Sequence, residues 1–154
     1  MKTGAAIGYR WHDIVIAWPP KSGHRFLDQG HAQESRNEVR LARTIYKICP
    51  QALWREAETA GVFTGAAVDR ADGFIHFSTA DQVAETAARH FAGQGDLVLA
   101  AVDEGALGAA LRHEPSRGGA LFPHLYGTLP MSAVRWVRPL PLGPDGHVFP
   151  ELEP

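Results

Sequence analysis

Residues 96–103, DLVLAAVD, are the stretch that decides the fold. Six apolar residues follow one another between two acids, without the spacing of an amphipathic helix. A short apolar run of this kind, bounded by polar residues, is typical of a strand that is buried on both faces. We therefore predict a central β-strand here, covered on each side by other elements.

The segments before this strand alternate between strand and helix signals. Residues 44–49, TIYKIC, are rich in β-formers and predict a strand. Pro50 is suited to start a helix, and Gly61 to end it. Residues 62–72, VFTGAAVDRAD, contain Gly and Asp and predict a connection. Residues 73–78, GFIHFS, alternate in polarity and predict a second strand. Thr79 and Gln82 then have the spacing of a capping box, which predicts a helix that ends near Gly93.

The segments after it are less regular. Residues 112–129, RHEPSRGGALFPHLYGTL, contain glycine and proline at short intervals, and we predict an irregular stretch. Residues 134–140 predict a last strand. The whole pattern indicates the α/β (α+β) class: one small mixed sheet with two or three helices, formed by residues 44–154 as a single globular domain.

Composition excludes several classes of protein. A net charge of −2 over 154 residues gives no reason to expect a nucleic-acid partner. Cys49 is the only cysteine, so no disulfide can form within the chain, and we expect a cytoplasmic location. The apolar run from Ile14 to Trp18 is far shorter than the roughly 20 residues of a membrane-spanning helix. We expect no membrane contact, and the sequence predicts no particular oligomeric state.

Residues 1–43 differ from the rest of the chain. They carry seven Lys/Arg and four Asp/Glu, a balance of +3, whereas residues 44–154 carry a balance of −5. They show no sustained period and too few apolar residues to bury. We interpret them as a disordered extension, and the alternative is a basic arm that contacts a partner. We also hypothesise that part of residues 1–40 is upstream sequence assigned to the chain by mistake, with Val39 or Leu41 at the true start.

Three segments place polar residues beside predicted strands. His76 and Ser78 share one face of a strand that ends at a helix start, where the amides after Thr79 favour an anion. Arg117 offers a charged fork for phosphate, and Gly118 and Gly119 let backbone N–H groups converge. For the first segment, the structural alternative is that His76 is a core histidine whose hydrogen bonds are satisfied within the fold. For the second, it is a surface turn in which Arg117 is solvated.

The third segment is FPHLYG, residues 122–127, in which His124 and Tyr126 alternate and can face one side. Their alternative is packing at the edge of a strand. His76, His124 and Glu114 are the candidates for acid–base catalysis. These three could also bind a metal, but no HExxH spacing supports that, and we predict no metal site. The sequence contains neither GxGxxG nor GxxxxGK[ST], so it does not predict a Rossmann or P-loop site. Ser78 does not lie in the G-x-S-x-G motif that is typical of a nucleophilic serine.

Taken in series, these motifs resemble a known family. Over about Thr44 to Leu142, the sequence resembles the bacterial family known as domain of unknown function 952. The motifs that carry this resemblance are TIYKI, Trp54 with the AGVFTG that follows, DGFIHFST, DLVLAAVD, SRGG and FPHLYG. The resemblance implies a small α/β domain with an ADP-ribosyltransferase-like fold and no established activity. It implies NAD as a possible cofactor, with His76 and Arg117 at ribose or phosphate. Glu114 does not match the position of the glutamate that such transferases use.

The candidate residues and the resemblance together predict that the protein binds an anionic or nucleotide-like small molecule in a polar pocket, with group-transfer or hydrolytic chemistry. Arg117 and the amides after Thr79 would bind phosphate, His76 or His124 would move a proton, and Tyr126 would pack on a ring. The alternative is a non-catalytic module that senses a small molecule or contacts another protein.

Overall fold

The computed structural model describes residues 43–154 of the chain. Its α-helices are α1 (Gln51–Ala60), α2 (Ala67–Asp72) and α3 (Ala80–His90), and three 3-10 helices cover Glu104–Ala110, Arg117–Gly119 and Met131–Ala133. Its strands are β1 (Thr44–Pro50), β2 (Val62–Phe63), β3 (Ile75–His76), β4 (Leu97–Asp103), β5 (Leu111–Pro115), β6 (Leu121–Leu125), β7 (Leu129–Pro130), β8 (Val134–Leu140), β9 (Leu142–Gly143) and β10 (Gly146–His147).

The predicted central strand is β4, which lies between β1 and β8 in an antiparallel sheet. Every residue from Leu97 to Val102 is buried. One face packs on a cluster that includes Trp54 of α1, and the other on a cluster that includes Val83 of α3. The apolar run therefore reflects a strand with helices on both faces, because neither face is left to solvent.

A second sheet has the order β3-β6-β5 and is also antiparallel. It joins the first where the backbone of Ser78 forms a β-bridge with Tyr46 of β1. The amide of each residue donates to the carbonyl of the other, at 2.8 and 2.9 Å. This bridge fixes β3, and with it the residues around His76, against the edge of the central sheet.

The helices α1 and α3 agree closely with the sequence pattern. Gly61 follows α1 with a φ of 76°, a left-handed conformation that glycine adopts without strain. At the start of α3 the Gln82 side chain accepts a hydrogen bond from the Thr79 amide at 3.1 Å, which is one half of the predicted capping box. Residues 134–140 form β8 as predicted.

Three predictions of architecture were wrong. Residues 112–129 are not irregular, since they contain β6 and most of β5, which form a hairpin whose turn holds Gly118 and Gly119 at φ values of 64° and 86°. The segment after Gly61 is not a plain connection, because it holds β2 and α2. The strand pairs within residues 43–154 are antiparallel and form several small sheets rather than one mixed sheet.

The prediction of an N-terminal extension concerns residues 1–43, of which only Arg43 lies within the described part of the chain. Among the described residues, the helices are all too short or too polar to cross a membrane.

Candidate functional site

One face of the β3-β6-β5 sheet collects most of the polar residues singled out in the sequence. His76 of β3 is the direct partner of His124 of β6, and His124 is the partner of Arg112 of β5. Directly paired residues share a face, as do residues two apart on one strand, so Glu114 lies on the same side as Arg112. The two imidazole rings are 5.5 Å apart between centroids, at an angle of 72°.

The His76 ring is hydrogen-bonded to Asp69, which forms a buried ion pair with Lys47. Lys47 Nζ donates to both carboxylate oxygens of Asp69, at 2.9 and 2.8 Å. Asp69 also accepts from the His76 Nδ1 at 2.7 Å and from the His76 amide at 3.1 Å, and the Ala66 amide donates to it at 2.8 Å. Charged groups this deeply buried persist only when their hydrogen bonds are satisfied.

The charge state of Asp69 follows from these donors. Burial raises the pKa of the Asp69 carboxyl, but the hydrogen bond from His76 and the charge and hydrogen bond of Lys47 together lower it well below its usual range. Asp69 is therefore a carboxylate, which can only accept, so the Nδ1 of His76 carries a proton. The Nε2 of the same ring lies 3.2 Å from Asp72 Oδ2 on α2.

His124 has a separate carboxylate partner. Its Nδ1 lies 2.9 Å from Glu114 Oε2, and the Tyr126 hydroxyl donates to the same oxygen at 2.8 Å. The hydrogen bond from His124 holds the pKa of Glu114 below its usual value, so Glu114 is ionised and the His124 Nδ1 must be the donor. The same oxygen raises the pKa of the Tyr126 phenol, which stays protonated at neutral pH.

This arrangement leaves His124 as a neutral base. Burial lowers the pKa of His124 more strongly than the hydrogen bond to Glu114 raises it. The neutral ring with its proton on Nδ1 has a lone pair on Nε2. Among residues 43–154, His124 forms no hydrogen bond through that atom. Nε2 is therefore the atom of this cluster that can accept a proton from a ligand.

An aromatic and a guanidinium group complete this face. The Phe74 ring stacks on the His124 ring at a centroid distance of 4.2 Å and an angle of 24°. It also contacts the rings of His76 at 4.7 Å and Tyr126 at 5.2 Å. Arg112 Cζ lies 4.8 Å from the centroid of the Tyr126 ring, which is a cation–π contact.

The other predicted site residues take part in contacts within the fold. The Ser78 hydroxyl is buried and lies 3.0 Å from the hydroxyl of Thr86 on α3. The Thr79 amide is used by Gln82. Gly118 and Gly119 form the β5–β6 turn, where the Gly119 amide donates to the Ser116 carbonyl at 2.8 Å. The side chain of Arg117 lies outside the part of the structure that is described.

Sequence reasoning missed half of the cluster: Lys47, Asp69, Asp72, Phe74 and Arg112. One signal was present for Lys47, since a lysine in the middle of the apolar run TIYKIC is unusual on a buried strand. Asp69 and Asp72 were interpreted as polar residues of a connection, because no pattern marked the short helix that carries them.

Two other features bear on the site. A shallow groove of about 570 Å³ lies between α3 and the β9–β10 hairpin, and its lining does not include His76, Glu114, His124 or Tyr126. Within the described residues, no group of three His, Cys, Asp or Glu side chains is placed to bind a metal ion. The groove is therefore a separate feature from the polar face of the second sheet, whose two imidazoles are buried.

Comparison with known proteins agrees with the motifs. The family model described as "Protein of unknown function (DUF952)" matches residues 48–137. The crystal structure of protein CC0527 from Caulobacter crescentus is 52% identical, covers 68% of this chain and 91% of that chain, and has a TM-score of 0.66. The solution NMR structure of CC0527 is 52% identical over 68% and 90% of the two chains, with a TM-score of 0.62. No curated protein matches the chain.

The match spans more than half of the chain, and the resemblance drawn from the motifs is confirmed at the level of the family. The chain belongs to the DUF952 family of proteins of unknown function.

Proposed function

We propose that the face formed by Arg112, Glu114, His124 and Tyr126 binds an anionic, nucleotide-like small molecule and supplies a base to it. The observation that carries this proposal is the His124–Glu114–Tyr126 contact, in which one carboxylate oxygen holds both a buried imidazole and a phenol. Structural packing alone has no need of a carboxylate at this place, because Tyr126 is 39% exposed and could bond to water.

Arg112 supplies the positive charge for an anion. Its cation–π contact with Tyr126 limits the side chain to fewer orientations, so less entropy is lost when a phosphate or carboxylate binds the guanidinium fork. Arg112 is exposed, and its strand partner is His124. A phosphate on Arg112 would therefore place the rest of the ligand over His124 and Tyr126. Arg117, in the turn of the same hairpin, is proposed as a second contact to the anion.

His124 would act as the general base in this proposal. A general base must be unprotonated at the working pH, and it works best when a second group fixes its orientation. Burial and the Glu114 contact meet both conditions. Glu114 would then orient the base rather than react, in the way that a buried carboxylate orients a histidine in other enzymes. His76 would support the face, because Asp69 already holds its ring.

NAD-type nucleotides are the first ligands to test, since the ADP-ribosyltransferase-like interpretation of the family is part of this proposal. NAD⁺, ADP-ribose, AMP and inorganic phosphate are titrated into the protein by isothermal titration calorimetry. Loss of a charge-assisted hydrogen bond costs roughly 1.5–3 kcal/mol, so Arg112→Ala should weaken nucleotide binding by about tenfold or more.

The matched control is Arg89→Ala, which removes an exposed arginine on α3 that pairs with Glu85. It should bind each nucleotide like the wild type. The proposal fails if no nucleotide binds, or if both arginine variants bind as tightly as the wild-type protein does.

A second candidate function is a sensing module that binds a ligand without changing it. It is favoured by the burial of both imidazoles, which are only 8–9% exposed. Chromatography of NAD⁺ or ADP-ribose after prolonged incubation separates the two functions. Products that disappear in His124→Gln support catalysis, whereas a bound ligand recovered intact supports sensing.

A further inference from the structure

The ring of Phe74 occupies a place that a ligand would need. It lies nearly parallel to the His124 ring at 4.2 Å, which is a stacking geometry, and it also contacts His76 and Tyr126. Phe74 and the strands of the second sheet surround the two imidazoles, so His76 is only 9% exposed and His124 only 8% exposed. A planar ligand on Arg112 and Tyr126 can therefore stack on this face of His124 only if Phe74 leaves it.

Phe74 is also placed where it can move. It lies between α2 and β3, outside both elements, and is itself only partly buried. The preceding Gly73 has a φ of 84°, and a Cβ added to it would meet no atom within 4 Å. A glycine with open surroundings is a common hinge, because it tolerates large changes in backbone angles. The Phe74 amide donates to the Asp69 carbonyl at 3.2 Å, so the ring can leave His124 either by rotation of the side chain or by a change at Gly73 that breaks this hydrogen bond.

We propose that Phe74 is an exchangeable cover of His124, and that the ligand carries a planar ring that replaces the Phe74 ring on the imidazole. The ligand class is thereby narrowed to anions with a flat aromatic ring, such as nucleoside monophosphates, as opposed to sugar phosphates. The exchange rests on the proposed function, whereas the cover itself does not.

The cover is tested without any ligand. Diethyl pyrocarbonate acylates the unprotonated nitrogen of accessible neutral histidines, and peptide mass spectrometry identifies each modified residue. Exposed His113 serves as the internal reference. In the wild type, His124 should react much more slowly than His113. Phe74→Ala should raise the rate at His124 several-fold and leave the rate at His113 unchanged.

Two further variants keep this test sharp. Phe74→Leu replaces the alanine variant if that variant is unstable, because leucine retains apolar volume. It should give an intermediate rate of modification at His124. Phe74→Trp keeps a flat ring and should leave His124 protected. Thermal melts by circular dichroism show that each variant is folded. The cover is disproved if His124 reacts as fast as His113 in the wild type, or if its rate is the same in folded Phe74→Ala.

The exchange is tested with AMP and ribose 5-phosphate, which share a phosphate and differ in the ring. Removing a competing ring raises the fraction of protein that is competent to bind, so Phe74→Ala should bind AMP more tightly than the wild type by up to about tenfold. Its affinity for ribose 5-phosphate should not change. If AMP binds the wild type but gains nothing in Phe74→Ala, the exchange is wrong and the proposed function stands. If neither compound binds any variant, the proposed function and the exchange both fall, even where the modification rates support the cover.

Discussion

A Cβ atom placed on Gly65 would lie 2.9 Å from the Cβ of Asp69, closer than real side chains approach. Gly65 also has a φ of 100°, a region that other residues rarely adopt. Glycine is therefore required at position 65 for two reasons. Its backbone conformation leads the chain into α2, and its lack of a Cβ leaves the space that Asp69 occupies beside Lys47 and His76.

Gly65→Ala should be more destabilising than the same change at Gly61. Gly61 has a φ of 76°, and a Cβ added there would meet no atom within 4 Å. Gly61→Ala therefore adds only the strain of the left-handed conformation, about 1–2 kcal/mol. Gly65→Ala adds a comparable strain and also displaces Asp69. Urea unfolding of both variants measures the difference, and equal losses would show that Asp69 yields without cost.

Asp69→Ala should be among the most damaging substitutions in the chain. It leaves Lys47 buried without its carboxylate, and removal of one partner of a buried ion pair costs about 3–5 kcal/mol. Lys47→Met should cost less, because Asp69 keeps the hydrogen bonds from Ala66 and His76 and the methionine fills the space of the lysine stem. Chemical denaturation measures both.

The control for these two variants is an exposed ion pair. Arg89→Ala removes the surface contact with Glu85 and should change the free energy of unfolding by less than about 1 kcal/mol. A loss for Lys47→Met that exceeds the loss for Asp69→Ala would contradict the assignment of Asp69 as the centre of the network.

Acid should destabilise the protein in two stages. His124 has a pKa lowered by burial, so the unfolded chain takes up this proton first as the pH falls below the usual value of 6.5. The contribution of His124 is thus present above that value and is lost as the pH falls through the folded pKa. Glu114 and Asp69, whose pKa values are also lowered, extend the loss below 4.5 and 3.8 respectively.

Denaturant unfolding at a series of pH values from about 7 to about 2 measures this dependence. In His124→Gln the first stage should shrink, while the part of the second stage that comes from Asp69 remains. An unchanged first stage would assign it to another group and would contradict a lowered pKa at His124.

Cys49 should be inert in the folded protein. The thiol is fully buried, and burial raises its pKa to about 12, so almost no thiolate is present at neutral pH. Ellman's reagent should find no reactive thiol in the native state and one per chain after denaturation, since the chain has a single cysteine. Rapid reaction of the native protein would show that β1 opens readily.

Much of the fold was predictable because its signals are local. The strands β1, β4 and β8 and the helices α1 and α3 were found from runs of apolar residues and from terminating glycines. The hairpin β5–β6 was missed because Pro115, Gly118, Gly119 and Pro123 suggest irregular chain. Two of these residues form the turn, and Pro123 is tolerated within β6, where its carbonyl accepts from the Phe77 amide at 2.9 Å.

The candidate site was only half predictable. His76, Glu114, His124 and Tyr126 stand out as polar residues next to predicted strands. Their companions Lys47, Asp69 and Phe74 do not, since a lysine in a strand or an acid in a short connection has many possible partners. Ser78 was expected beside His76 because they alternate, but its hydroxyl bonds to Thr86 after the short strand ends.

The order of residues alone thus determined where the chain is buried on both faces, where two helices begin and end, and which family the protein belongs to. Only the tertiary structure decided that Asp69 lies between Lys47 and His76, and that Phe74 covers His124. The physical reason is that burial and helix ends depend on neighbours within a few residues, whereas the partner of a buried charge is set by strand register and by the path of the whole chain.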